Sequence, residues 1–219
     1  MRSEEFLTKI RAAYVKARNP VIPSKHVKRG TSRSISSIAE DLFASYLESM
    51  IPRDYEIWID PQITINNLKN KSRKRSLLFR PDICIINCKT NRIEMIFDIK
   101  MDLGYKRNDF IQQVKVRISA LNNIVKHTAR CSLKDDELMF STKLKWNYVV
   151  MSAGNITPEQ YDKVETWFAN TEKATLFTLS RGKHLNTYSD DFELRVNSDD
   201  FKRIDAAIDA LTARKRKSQ

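Results

Sequence analysis

Residues 80–102 read RPDICIINCKTNRIEMIFDIKMD, two apolar runs separated by the turn-forming Cys88-Lys89-Thr90-Asn91. In the second run Ile93, Met95, Phe97, Ile99 and Met101 alternate with Glu94, Ile96, Asp98, Lys100 and Asp102. Strand side chains alternate faces, so Asp98 and Lys100 project from the same one. A turn this short makes the two runs antiparallel neighbours. Their simple hairpin register sets Asp82 opposite a position between 96 and 100, and so beside Asp98. A carboxylate and an ammonium in a strand this apolar lose hydration, and they need each other, a metal or a ligand.

Two helices precede the hairpin. Phe6, Leu7, Ile10, Ala13, Tyr14 and Ala17 have helical spacing over 3–18, ended by Asn19-Pro20 and Pro23. A basic polar connector over 24–34 leads to a second helix over about 34–50, with a wide apolar stripe from Ile35 to Leu47, closed by Pro52. Strand runs follow over roughly 55–65, where Pro61 implies a bulge or an edge, then 77–87 and 92–101. Between the first two, Lys69–Arg75 forms a very basic tip. A long helix over about 108–129, capped by Asn108 or Asp109, comes next, then a buried strand over 145–152. Thr157-Pro158-Glu159-Gln160 has the form of a capping box with proline at the first helical position, so a helix runs to about Asn170. Strands over 174–180 and 192–197 and a last helix capped by Asp199 or Asp200 complete the chain. This pattern is an α/β chain with a mixed sheet flanked by helices.

The 219 residues suit one domain, and an apolar content of 41% is enough for a sizeable core. Net charge is +12, with four of those charges in the terminal run Arg214-Lys215-Arg216-Lys217. Such an excess attracts polyanions, nucleic acid above all, although charge alone fits a solubilising surface equally well. Three cysteines, Cys84, Cys88 and Cys131, argue against a disulfide framework, and no second pair accompanies Cys84 and Cys88 to make a zinc site. Buried free thiols and a reducing, cytoplasmic setting are expected. No apolar stretch has the length of a signal peptide or a membrane span.

Two carboxylates and a lysine are what metal-assisted phosphodiester hydrolysis requires. The carboxylates hold a hard divalent cation, preferably magnesium; the lysine orients the attacking water and offsets charge in the transition state. Arg80-Pro81-Asp82, fifteen residues, then Asp98-Ile99-Lys100 resembles the PD-(D/E)xK superfamily of restriction-endonuclease-like nucleases. The resemblance covers 34–152 and implies an α-β-β-β-α-β core. It implies metal-binding roles for Asp82 and Asp98 and the catalytic lysine role for Lys100. It adds Glu40 as a further metal-binding and catalytic carboxylate from the preceding helix, and Gln112 or Gln113 as an accessory polar residue from the following one. One exonuclease branch carries Gln-x-x-x-Tyr in that helix; here Gln112 is followed at that spacing by Val116 and Gln113 by Arg117. A stand-alone enzyme is the better match.

The expectation is therefore a single nuclease domain over 1–219, with an N-terminal helix and connector over 1–33. The catalytic core covers 34–152, a C-terminal α/β extension 153–213 and a basic tail 214–219. Its function would be that of a magnesium-dependent endodeoxyribonuclease acting on double-stranded DNA as a homodimer, sequence-specific in the manner of a restriction enzyme. Lys28, Arg29 and Arg33, with Lys71, Arg73, Lys74 and Arg75 at the tip, are candidate phosphate contacts. Bland readings stand beside these: a strand-edge turn for Pro81-Asp82, a surface ion pair on a half-exposed strand for Asp98 and Lys100, a solvated helix face for Glu40, a strand-end charge for Asp102, and solvated loops for the basic clusters. His26, His127 and His184 read as structural. The rival functions are a non-catalytic nucleic-acid-binding module on a nuclease scaffold, or a structure-selective or mobile-element nuclease subunit.

Overall fold

A computed structural model describes residues 1–21, 26, 28–29, 31–65, 69–70, 73–74, 77–104, 109–187, 189 and 192–215, the side chains of 69–70, 73–74, 77 and 212–215 excepted. In chain order the elements are α1 (Ser3–Ala17), α2 (Ser36–Glu48), β1 (Tyr55–Ile59), β2 (Ile63–Ile65), β3 (Lys69–Asn70), β4 (Arg73–Lys74), β5 (Leu77–Phe79), β6 (Ile83–Asn87) and β7 (Arg92–Asp102). After these come α3 (Phe110–Ile124), β8 (Ala129–Cys131), β9 (Lys134–Phe140), β10 (Trp146–Ser152), α4 (Pro158–Ala169), β11 (Ala174–Thr178) and α5 (Ser198–Lys215).

Nine of the strands form one mixed sheet. Its main part runs β1-β6-β7-β10-β11, antiparallel from β1 to β7 and parallel from β7 to β11. The β6–β7 hairpin is closed locally: the Asn87 side chain accepts from the N–H groups of Lys89 and Thr90 (3.0 and 3.1 Å), and Asn91 takes the left-handed conformation that asparagine tolerates, at φ 49°. An arm in the order β9-β8-β2-β5 joins the start of β7 through β9, in the pairs Arg92↔Met139 and Ile93↔Phe140.

The sheet is covered on both faces. Ile83, Ile85, Met95, Phe97, Ile99, Val149, Met151 and Phe177 pack against α1, α2 and α5. Phe6, Phe43, Phe97 and Phe201 knit those helices to β7, with ring centroids 5.4–6.1 Å apart. Burying each such ring contributes about 1.5–3 kcal/mol. The opposite face, with Cys84, Ile86, Ile96, Tyr148 and Val150, packs against α3, α4 and the arm.

The structure departs from the sequence expectations at several places. The run 55–65 is two strands. Asp60 turns at φ 46° before Pro61, leaving β1 in the main sheet and β2 in the arm. The run 77–87 likewise breaks at Arg80-Pro81-Asp82, with β5 in the arm and β6 in the main sheet. Strict alternation in β7 fails at Glu94. Ile86 pairs with Ile93 and Ile85 with Met95, so Glu94 is an extra residue and Ile93 joins the α3 side of the core. The helix expected to reach 129 ends at Ile124, because Ala129–Phe140 fold back as β8 and β9. Asp109 stands at the cap position of α3 without a side-chain cap bond, and Asn108 lies outside the described residues.

Thr157 caps α4 by accepting from the Gln160 N–H at 3.4 Å, but the Gln160 side-chain oxygen has no partner, so the box is half made. The run 192–197 is no strand; one bridge, Ser180↔Val196, is all that pairs there among the described residues. Neither Asp199 nor Asp200 precedes α5, which starts at Ser198. Asp200 instead ties the helix to β11: its buried carboxylate accepts from the Thr178 N–H at 2.7 Å and pairs with Arg203.

Candidate active site

The hairpin register sets the geometry. Ile83 pairs with Phe97 and Cys84 with Ile96, so Asp82, one step before β6, stands opposite Asp98, as the turn length predicts. The tie is direct: the Asp82 carboxylate accepts from the Ile99 N–H at 2.5 Å. Asp82 also lies where the chain crosses from arm to main sheet, and its carbonyl accepts from the Asp60 N–H at 2.8 Å.

Asp98 is only 2% exposed. An isolated carboxylate at that depth would cost several kcal/mol, so it demands compensation. Two cations supply it, one on each oxygen: the Lys100 ammonium on Oδ1 and the Arg117 guanidinium on Oδ2. Lys100 also donates to the Ile99 carbonyl at 3.3 Å. The bland reading of Asp98 and Lys100 as a half-exposed surface pair is overturned by this burial.

Tyr148 completes the floor. Parallel pairing of β10 with β7 sets it beside Asp98. It is buried against Phe110, ring centroids 5.4 Å apart, and its hydroxyl lies near Arg117 without a well-formed hydrogen bond. Burial pushes its phenol up, Arg117 pulls it down, and the Asp82 charge adds a smaller upward push.

Glu40, on α2, is half-buried. Burial is the largest cause raising its carboxyl above the usual glutamate range, followed by repulsion from Asp82, Asp60 and Asp41. Glu40 and Asp82 thus feel each other across the edge of the sheet.

Gln112 and Gln113 are solvent-exposed on the first turn of α3. The residue of that helix that reaches Asp98 is Arg117, one turn beyond Gln113. In the sequence Arg117 stands out only as the residue found where Gln-x-x-x-Tyr would need a tyrosine; its partner is set by tertiary packing. Lys28 and Arg29 are exposed. Arg33 is tied to the end of α1: its guanidinium donates to the Lys16 carbonyl (3.1 Å) and its N–H to that of Ala17 (3.0 Å). At the tip, β3 and β4 pair as a hairpin, Lys69↔Lys74 and Asn70↔Arg73; Lys71 and Arg75 and the side chains of Arg73 and Lys74 lie outside the described residues.

Asp102 is a strand-end clasp. It accepts from the Gly104 N–H at 2.8 Å and lies 3.4 Å from His184 Nε2. His184 accepts from the Asn186 N–H and packs on Tyr14, a structural role. All three cysteines are free; Cys84 and Cys131 are buried, and burial pushes the Cys84 thiol far up.

Among the described residues no three Asp, Glu, His or Cys side chains are gathered ready to hold a metal. Asp98 is turned to its two cations and Asp82 to a backbone N–H. A cavity of about 800 Å³ lies elsewhere, between α5 and the amino ends of β10 and β11, on the face opposite Asp98. No helix among the described residues is long and apolar enough to cross a membrane. No family model, curated protein or solved structure matches the chain.

Proposed function

We propose that this chain is a magnesium-dependent endodeoxyribonuclease of the PD-(D/E)xK type. The observation that carries the reading is the meeting of Asp82 with the buried Asp98–Lys100 pair across neighbouring strands. A charged set at this depth is a weak source of stability, because apolar residues of similar size are often as stabilising in such a position.

The residue chemistry suits a small, hard divalent cation, although the carboxylates are not gathered around one point among the described residues. The donor set is all oxygen, with Asp82 and Asp98 as the residues that would hold the ion and Glu40 as the third carboxylate. Repulsion between Glu40 and Asp82 is the strain that a cation would relieve. When bound, the ion supplies Lewis-acid polarisation of a phosphoryl oxygen and a more acidic water. Lys100 is held on the Asp98 face, where its ammonium can orient the nucleophile and offset charge building on the phosphoryl oxygens. Burial of Asp98 and Tyr148 lowers the local dielectric and strengthens both effects. A net charge of +12 favours a polyanionic substrate. Double-stranded DNA, cut in both strands by a homodimer at a specific sequence, is the substrate and assembly of this reading.

The deciding experiment is a cleavage assay on long, mixed-sequence, unmethylated DNA, comparing magnesium with EDTA and including Asp98→Ala. Discrete fragments that require both magnesium and Asp98 support a sequence-specific enzyme. A metal-dependent smear points to a non-specific or structure-selective nuclease. Tight binding without cutting, on linear and branched DNA alike, overturns the catalytic reading in favour of a binding module.

A further inference from the structure

We infer that Arg117 is a displaceable stand-in for the metal: it neutralises Asp98 in the metal-free protein, yields that oxygen to the cation, and is thereby released to a phosphate of the bound strand. The inference rests on the metal-dependent reading of the site above.

Asp98 has two oxygens, and each already faces a cation. A divalent ion brought to this carboxylate meets the like charge of both, so its binding is favoured when one of them leaves. Lys100 is the poorer candidate: it lies two positions along the same strand, its side chain is 17% exposed, and it also holds the Ile99 carbonyl. Arg117 comes from a different element, and its side chain is 40% exposed although it reaches a buried partner. Its backbone is anchored by Trp146 Nε1, which donates to the Arg117 carbonyl at 3.1 Å. Its guanidinium lies over the Trp146 and Tyr148 rings, 5.2 and 6.0 Å from their centroids. Those rings give the freed side chain an attractive surface outside the carboxylate. A guanidinium, planar and always charged, suits a phosphate as well as a carboxylate. The buried Tyr148 hydroxyl lies beside Arg117 without a well-formed hydrogen bond.

The test is calorimetry with manganese, a tighter-binding probe than magnesium, on wild type, Arg117→Met and Arg117→Lys, with folding checked by circular dichroism. Removing a competing cation should tighten metal binding in Arg117→Met by about tenfold, a figure scaled down for solvent screening, and Arg117→Lys should return it toward wild type. The same Met variant should lose DNA cleavage, because the guanidinium is then missing from the phosphate. Tighter metal with weaker cutting is a pair of effects that a merely structural residue would not produce. Measurable metal affinity left unchanged or weakened in Arg117→Met overturns the inference while the metal site stands. No metal binding by any of the three overturns the metal reading and the inference with it. Should Arg117→Met not fold, Arg117→Gln serves with the same expectation.

Discussion

Replacing Lys100 by alanine removes one of the two charges that make the burial of Asp98 tolerable. Breaking a fully buried ion pair by deleting one partner costs about 3–5 kcal/mol. Two features reduce that here: Arg117 stays on the other Asp98 oxygen, and the Lys100 side chain is 17% exposed. About 2 kcal/mol is the expected loss, below that buried-pair range. For a domain of this size 1 kcal/mol shifts the melting temperature by roughly 2–4 °C, so the variant should melt ~4–8 °C lower in EDTA. Saturating magnesium should narrow the gap, since an ion on Asp98 supplies the missing positive charge. Cleavage should be lost while metal binding is retained. The assay is a thermal melt of both proteins with EDTA and with magnesium, followed by digestion of the same DNA. A variant that melts within a degree of wild type and cuts at the wild-type rate would refute both the energetic coupling and the catalytic assignment.

Glu40→Gln addresses the strain at the carboxylate cluster. Burial and the Asp82 charge raise the folded-state Glu40 above its unfolded value, so the folded protein binds the extra proton. Stability falls as pH rises through that window, and the penalty is fully present above it. The variant should therefore be more stable than wild type near neutral pH without metal, equal to it below the glutamate range, and weaker in magnesium binding. Equal melting curves at both pH values would dismiss the repulsion. Asp82→Asn should lower magnesium affinity by calorimetry; an unaltered isotherm would remove it from the ligand set. Neutralising Lys71, Arg73, Lys74 and Arg75 together should weaken DNA binding and reduce the slope of log affinity against log salt, by roughly 0.9 for each phosphate that the tip no longer neutralises. A slope equal to wild type would make the tip a bystander.

The meeting of Asp82, Asp98 and Lys100 was legible without coordinates because it is local. A short turn fixes the register of a hairpin and the pleat fixes the face of each side chain, so neighbours along the nineteen residues 82–100 can be counted. Helices α1, α2 and α4 were legible for the same reason, their period and breakers lying within a few turns of one another. Pro61 and Pro81 mark an irregularity in the runs 55–65 and 77–87, but neither discloses that the run leaves one part of the sheet for another. A strand of three residues pairs with whatever the rest of the chain presents, and Asp60 and Pro81 only permit the break. The extra residue at Glu94 and the strands β8 and β9 escaped for a related cause: their pairing depends on partners distant in sequence, and Lys134-Asp135-Asp136-Glu137 carries no apolar alternation of its own.

Arg117 is the clearest division between the two kinds of information. Its place one turn after Gln113 can be counted along the sequence, but its partner is a carboxylate nineteen positions earlier on another element. That pairing exists because α3 packs over β7 and β10 and leaves Asp98 no water to face. Sequence determined which charged groups lie side by side on the hairpin. Tertiary packing alone decided how deeply they are buried, and burial is what turns an ordinary acid–lysine pair into a site that needs a second cation.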